Sequence, residues 1–174
     1  MIERMENISR LSPPAEPLDD VAAEVVRPRS LSGVAAAIAR GVCRHFVTAG
    51  YGCLLETPLR SGRRADVMAV GRTGEIVIVE IKSGPQDFRS DRKWPEYRAF
   101  CDALYFAVDA GFPQALIPED VGLIAADGYG AAILRDAPRF PLAGARRKAV
   151  SLAFARLAAA RLQATLDPEG FITS

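Results

Sequence analysis

The stretch RRADVMAVGRTGEIVIVEIK, residues 63–82, decides the fold because it contains two apolar strands separated by a short turn. A three-residue hairpin loop commonly ends with glycine in the left-handed conformation, which glycine adopts without steric cost. Arg72-Thr73-Gly74 has this pattern and predicts a hairpin in which Gly71 pairs with Glu75. This pairing sets the register of both strands, and the register decides which side chains share a face.

The predicted register brings three charged residues to one end of the hairpin. Because the side-chain period of a strand is two, Asp66 lies directly opposite Glu80, and Lys82 lies on the same face two residues further along. Both strands are otherwise apolar on both faces, which is typical of central strands covered by helices. A charged group removed from water costs on the order of several kcal/mol unless it is paired or bound to a metal.

Two interpretations of these three residues remain open. The first is a structural ion pair between Lys82 and either Glu80 or Asp66. The second is a metal-dependent phosphodiesterase site, which the convergence of two carboxylates and a lysine favours.

Length and composition predict one ordinary globular domain. The chain has 174 residues, of which 49% are hydrophobic and 25% charged, and its formal net charge is +1. Residues 1–29 are rich in proline and acids, so we expect a flexible lead there and a single folded domain over residues 30–174. The sequence has no run of about 18 apolar residues and no signal-peptide pattern, which predicts a cytoplasmic protein with no membrane contact.

The cysteines and the histidine argue against two other classes of site. Cys43, Cys53 and Cys101 have no CxxC spacing, and His45 is the only histidine, so a structural zinc site is not expected. His45 lies within an apolar helical run, where a packed or helix-end role is commoner than that of a catalytic base.

The remaining patterns predict an α/β protein with a mixed sheet. A first helix is expected where Val34, Ile38, Val42 and Phe46 recur every four residues, with Ser30 or Ser32 as its cap. The other predicted elements are a strand over residues 53–59, a helix from about Trp94, a strand over residues 104–108, two strands over residues 121–127 and 131–136 joined at Gly128-Tyr129-Gly130, and a final helix from Ala145 to Thr165 that packs through Leu152, Leu157 and Leu162.

Asp66, followed after thirteen residues by Glu80-Ile81-Lys82, resembles the PD-(D/E)XK nuclease signature, with Ala65 in the place of the proline. The continuation VEIKSGPQDFRSDRKWPEYRAFCDALYFAV is similar to the bacterial MmcB-like DNA-repair proteins of that superfamily. The resemblance covers about residues 30–165. It implies a restriction-endonuclease-like core with the order αβββαβ, a mixed sheet flanked by helices, and an extra C-terminal hairpin and helix.

The resemblance also implies a function and roles for individual residues. It implies Mg²⁺, or Mn²⁺, as cofactor, DNA as substrate, and a role in DNA repair or damage tolerance. Asp66 and Glu80 would be metal ligands, Ile81 would contribute its backbone carbonyl, and Lys82 would position or stabilise the attacking hydroxide. Glu56, on the strand before, either completes the metal shell or hydrogen-bonds a neighbouring arginine.

Basic and aromatic residues near the motif predict a surface for DNA. Phosphates favour a rim of basic side chains, and aromatic rings among these side chains can stack on splayed nucleotides. The alternatives are a solvated charged surface and packing of the rings in the core. The candidates are Arg63, Arg64, Arg89, Arg92, Lys93, Trp94 and Tyr97.

Two functions from different classes are compatible with the sequence. The first is an active Mg²⁺-dependent deoxyribonuclease, and the second is a DNA-binding accessory protein of repair that has kept the fold but cleaves little. A small restriction-like or tRNA-directed nuclease is a further alternative. A homodimer is an open possibility, because cleavage of both strands of a duplex would suggest two sites.

Overall fold

A computed structural model of the protein describes Leu31, residues 33–91 and residues 93–168. The predicted lead over residues 1–29 and the predicted caps Ser30 and Ser32 lie outside the described residues. In chain order, the elements are α1 (Gly33–Thr48), β1 (Gly52–Pro58), β2 (Arg64–Val70), β3 (Ile76–Lys82), α2 (Pro85–Ser90), a 3-10 helix (Trp94–Phe100), β4 (Ala103–Val108), a short 3-10 turn (Gln114–Leu116), β5 (Gly122–Ala126), β6 (Ala131–Arg135) and α3 (Gly144–Leu166).

The strands form one six-stranded sheet in the order β1-β2-β3-β4-β5-β6. β1, β2 and β3 form an antiparallel meander, β4 and β5 run parallel to β3, and β6 is antiparallel to β5. The part from α1 to β4 has the predicted αβββαβ order of a restriction-endonuclease-like core. β5, β6 and α3 are the predicted C-terminal hairpin and helix, so the predicted fold class is confirmed.

The segment between β3 and β4 differs from its prediction. The helix expected from about Trp94 is a 3-10 helix, and the short helix α2, which begins at Pro85, was not predicted. α2 has six residues, which is less than two helical turns, so no apolar period can reveal it in the sequence.

The sheet is covered on both faces, as the apolar pattern of its central strands predicts. On one face, Val42 of α1 packs with Val77 and its neighbours in one buried cluster. On the other face, Met68 packs with Phe100 of the 3-10 helix and Val150 of α3 in a second cluster. Burial of each such side chain stabilises the fold by about 1.5–3 kcal/mol.

The hairpin between β2 and β3 has the predicted register. The Gly71 N–H donates to the Glu75 carbonyl at 2.8 Å, and Gly74 has φ +82°, as the three-residue loop requires. The ladder then pairs Val70 with Ile76 and continues toward the charged end of the hairpin.

The packing predicted for the C-terminal helix is wrong at two of its three leucines. Leu157 is buried, but Leu152 and Leu162 are 55% and 60% exposed. Val150 and Leu157 lie seven residues apart on one helical face, and this face, not the leucine spacing, contacts the sheet. No helix in the described part of the chain is long and apolar enough to cross a membrane.

Asp102 anchors the beginning of α3 to the sheet. Its carboxylate accepts hydrogen bonds from the N–H groups of Ile76 and Leu142, both at 2.8 Å, and a bidentate pair from the Arg147 guanidinium at 2.6 and 2.7 Å. Burial acts to raise the pKa of Asp102, but these donors outweigh it and hold the pKa below its ordinary value. Arg147 therefore has a structural role, because it neutralises the buried carboxylate that joins α3 to the sheet.

Candidate functional site

Asp66 and Glu80 lie together where β2 and β3 separate. The ladder between the two strands extends as far as the pair Val67–Val79. Beyond that pair, the Ile81 N–H donates to Asp66 Oδ2 at 2.7 Å, and the Asp66 N–H donates to Glu80 Oε1 at 3.3 Å. Each carboxylate therefore replaces a ladder bond with a hydrogen bond from the opposite strand, which fixes both acids at the end of the hairpin.

The surroundings of these two acids disfavour two negative charges. Burial raises the pKa of Asp66 to about 6, against the opposing effect of the Ile81 N–H. Burial also raises the pKa of Glu80 to about 9, and the negative charge of Asp66 adds to the rise. Two adjacent carboxylates with raised pKa values are stabilised in the ionised form by a nearby cation.

Lys82 faces the same region but is paired with a third acid. Its Nζ donates to Asp91 Oδ2 at 2.6 Å, and it lies 5.8 Å from the centre of the Phe106 ring. The Lys82 side chain is 6% exposed and that of Asp91 is 21% exposed. The ion pair that the sequence suggested with Glu80 or Asp66 is thus made with Asp91, which follows α2 in a charge-rich stretch that has no apolar period.

Glu56 occupies a strained position beside the two acids. Leu55 pairs with Val67, and this register carries Glu56 to a position opposite Asp66. The Glu56 backbone has φ +48°, a left-handed conformation that is uncommon for residues other than glycine. Such outliers cluster at functional sites, where the surrounding structure holds them.

Two arginines hold Glu56 in this conformation. Arg64 Nη1 donates to its side-chain oxygen Oε2 at 3.4 Å, and Arg161 Nη2 of α3 donates to its backbone carbonyl at 3.0 Å. The predicted hydrogen bond between Glu56 and a neighbouring arginine is therefore made. Arg161 lies more than a hundred residues away along the chain, so no local pattern could identify it.

The donor set of the site fits Mg²⁺. This ion takes hard oxygen ligands, keeps several waters and is usually bound through one or two carboxylates. Asp66 and Glu80 offer two. Within the described residues, no group of three or more histidine, cysteine or acidic side chains is arranged to hold a metal ion. Glu56 and the backbone carbonyl of Ile81 as metal ligands stay predictions.

Two arginines predicted to contact DNA are engaged within the protein. Arg63 forms a bidentate pair with Glu96 at 3.0 and 3.1 Å, and Arg64 binds Glu56. Arg89 and Lys93 are exposed, and Arg92 lies outside the described residues.

The aromatic candidates pack against the protein. Tyr97 is 7% exposed and its hydroxyl donates to the Arg64 carbonyl at 2.9 Å, which gives it the alternative role of core packing. Trp94 is half-buried, with its ring 5.6 Å from that of Phe106 and the Arg98 guanidinium 5.2 Å from it.

A mixed α/β sheet with two adjacent acids and a lysine at one end of its central hairpin has the architecture of the nuclease-like fold class. The sequence matches the family described as "DNA repair protein MmcB-like" over residues 23–169, and the chain belongs to this family. The resemblance to that family in the sequence is thereby confirmed.

Two solved structures are similar to the chain. The "SPO1766 protein of unknown function from Silicibacter pomeroyi" is 46% identical, with a TM-score of 0.77 over 80% of this chain and 95% of that one. A repair endonuclease from Pyrococcus abyssi is 16% identical, with a TM-score of 0.35 over 51% of this chain and 42% of that one, a similarity too low to support an argument. No curated protein matches the chain.

Proposed function

We propose that the protein is a Mg²⁺-dependent deoxyribonuclease that hydrolyses phosphodiester bonds in DNA repair. The observation that carries the proposal is the pair of the half-buried Asp66 and the buried Glu80, whose carboxylates each accept a hydrogen bond from a backbone N–H of the opposite strand. Membership of a DNA repair family supports DNA as the substrate.

Each residue of the site has a role in this proposal. Asp66 and Glu80 would hold the ion, with the Ile81 carbonyl as a third protein ligand. When bound, Mg²⁺ supplies Lewis-acid chemistry, which polarises the phosphate and lowers the pKa of water. Lys82 would place its positive charge beside the reacting phosphate, where negative charge grows in the transition state. Its hydrogen bond to Asp91 would keep the ammonium group in position.

One observation favours the alternative of a DNA-binding accessory protein. The ammonium group of Lys82 is held by Asp91 at 2.6 Å and is not bonded to the two candidate metal ligands. If Lys82 only neutralises Asp91, the protein keeps the fold but hydrolyses DNA weakly.

The test is cleavage of branched, nicked and single-stranded DNA with Mg²⁺, Mn²⁺ or EDTA. The wild type is compared with Asp66→Asn and Lys82→Met, and with Glu119→Gln, an exposed acid away from the site, as the control. We expect metal-dependent cleavage that falls about 100-fold in the two site variants, because the stabilisation lost is several kcal/mol. Cleavage of equal rate in all four proteins contradicts the nuclease proposal, and DNA binding without cleavage in the wild type favours the accessory role.

A further inference from the structure

A cavity of about 520 Å³ lies between α3, the 3-10 helix and the turn that joins β1 to β2. Its volume is within the range of sites that bind small molecules, about 300–1,000 Å³. The apolar part of its lining includes the half-buried ring of Phe154, together with Phe100, Met68 and Val150, which are buried. The Arg146 guanidinium lies 5.8 Å from the centre of the Phe100 ring, so the ring of Phe154 is the flat, apolar surface on which a planar ligand stacks.

The polar part of the lining is basic. Its charged residues are Arg60 and Arg146, and it includes the hydroxyl-bearing Thr57 and Ser61, whereas no acid lines the cavity. Two guanidinium groups without an acid beside them favour an anion, and arginine matches the geometry of phosphate. An apolar interior with a basic, hydroxylated edge suits a ligand that is planar at one end and anionic at the other.

The cavity adjoins the candidate site. Met68 lies two residues from Asp66 on the same face of β2, a separation of about 7 Å along a strand. Thr57 follows Glu56 directly in β1. A ligand in the cavity is thus next to the position that the phosphate takes in the proposed reaction.

We propose that this cavity receives one unpaired base of a DNA strand, whose phosphates lie against Arg60 and Arg146. The inference rests on the proposed DNA-directed function and specifies its substrate class. A base within a duplex is stacked and paired, so it cannot stack on a ring of the cavity without leaving the helix, whereas an unpaired base enters at little cost. The cavity therefore selects single-stranded or locally unpaired DNA.

The test measures binding in EDTA, so that the outcome does not depend on cleavage. The probe is a short single-stranded oligonucleotide that contains 2-aminopurine, compared with the same strand in a duplex. Ala149 is an exposed residue of α3 that lines the cavity, and its replacement by Trp fills the cavity. Ala155→Trp is the matched control, because Ala155 is also exposed on α3 but does not line the cavity.

We expect Ala149→Trp to weaken single-strand binding about tenfold, as lost stacking of one base predicts, and to abolish the change in 2-aminopurine fluorescence. Ala155→Trp keeps wild-type binding, and Arg60→Gln weakens binding with the cavity still open. Wild-type affinity and fluorescence in Ala149→Trp would overturn the inference even if the protein cleaves DNA. If the wild type binds the single strand without cleaving it and Ala149→Trp loses this binding, the result would support the cavity and contradict the nuclease proposal.

Discussion

The ammonium group of Lys82 is buried, and Asp91 is the acid that compensates it. Removing one partner of a buried ion pair leaves an unpaired charge and lowers the free energy of unfolding by about 3–5 kcal/mol. The loss is smaller where one partner is part-exposed, as Asp91 is. We expect Asp91→Asn to lower the free energy of unfolding by about 2–3 kcal/mol and Lys82→Met in the same chain to restore part of it. Urea denaturation measures both changes.

The control for this pair is Asp120→Asn. Asp120 binds Arg98 at the same distance, 2.6 Å, but its side chain is 59% exposed. Exposed ion pairs contribute about 0–1 kcal/mol, so the substitution should hardly change stability. Equal effects at Asp91 and Asp120 would show that burial of Lys82 is unimportant.

Glu80 makes the stability of the metal-free protein depend on pH. Its pKa is raised by burial from 4.5 to about 9, so between these values the native state binds more protons than the unfolded chain. The free energy of unfolding therefore falls as pH rises through this window. In EDTA we expect the free energy of unfolding to fall by at least about 1 kcal/mol across this pH window, and the Glu80→Gln variant to depend less on pH. A profile of Glu80→Gln that matches the wild type would contradict this origin, and Glu119→Gln serves as the control.

The sequence predicted some parts of the site and missed others for a physical reason. The pairing of Asp66 with Glu80 follows from a turn and a period of two, both of which are local in the chain. Asp91 and Arg161 act through side chains that reach the site from other elements, and the left-handed Glu56 depends on that Arg161 contact. Such contacts appear only when the tertiary structure is known.

At the scale of elements, α3 is docked by an ion pair at its beginning as well as by apolar contacts. Arg147 pairs with Asp102, whose side chain is 7% exposed. Without Arg147, the buried carboxylate of Asp102 would be left unpaired. We expect Arg147→Ala to lower the free energy of unfolding by about 2–4 kcal/mol and to increase hydrogen exchange along α3. Lys148→Ala, an exposed neighbour, should change stability by less than about 0.5 kcal/mol. Unchanged exchange in Arg147→Ala would mean that apolar packing alone holds the helix.

The buried face of α3 differs from the face that its leucines predict because alanine dominates the helix. An alanine-rich helix predicts its own formation well, but alanine gives little information about which face is buried. Leu152 and Leu162 are large apolar residues of this helix, yet the contacts are made by the face that carries Val150 and Leu157. Helix formation is local, whereas the choice of the buried face is tertiary.

At the scale of the whole molecule, the formal net charge of +1 hides an uneven distribution of bases. Arg63 and Arg98 are compensated by Glu96 and Asp120, while Arg89 makes no ion pair in the part of the chain that the structure describes. Arginine and lysine side chains without an acidic partner contribute most to the binding of a phosphate.

The salt dependence of DNA binding tests this distribution. Each phosphate contact on a single strand contributes about 0.7 to the slope of log affinity against log salt concentration. We expect Arg89→Gln and Lys93→Gln each to reduce this slope by about 0.7, measured by fluorescence anisotropy in EDTA, because both side chains are exposed. Arg63→Gln changes the net charge equally but removes a base already bound to Glu96, so its slope should stay at the wild-type value. An affinity that does not vary with salt would contradict phosphate contacts altogether, and equal slopes in all three variants would mean that only the total charge attracts the DNA.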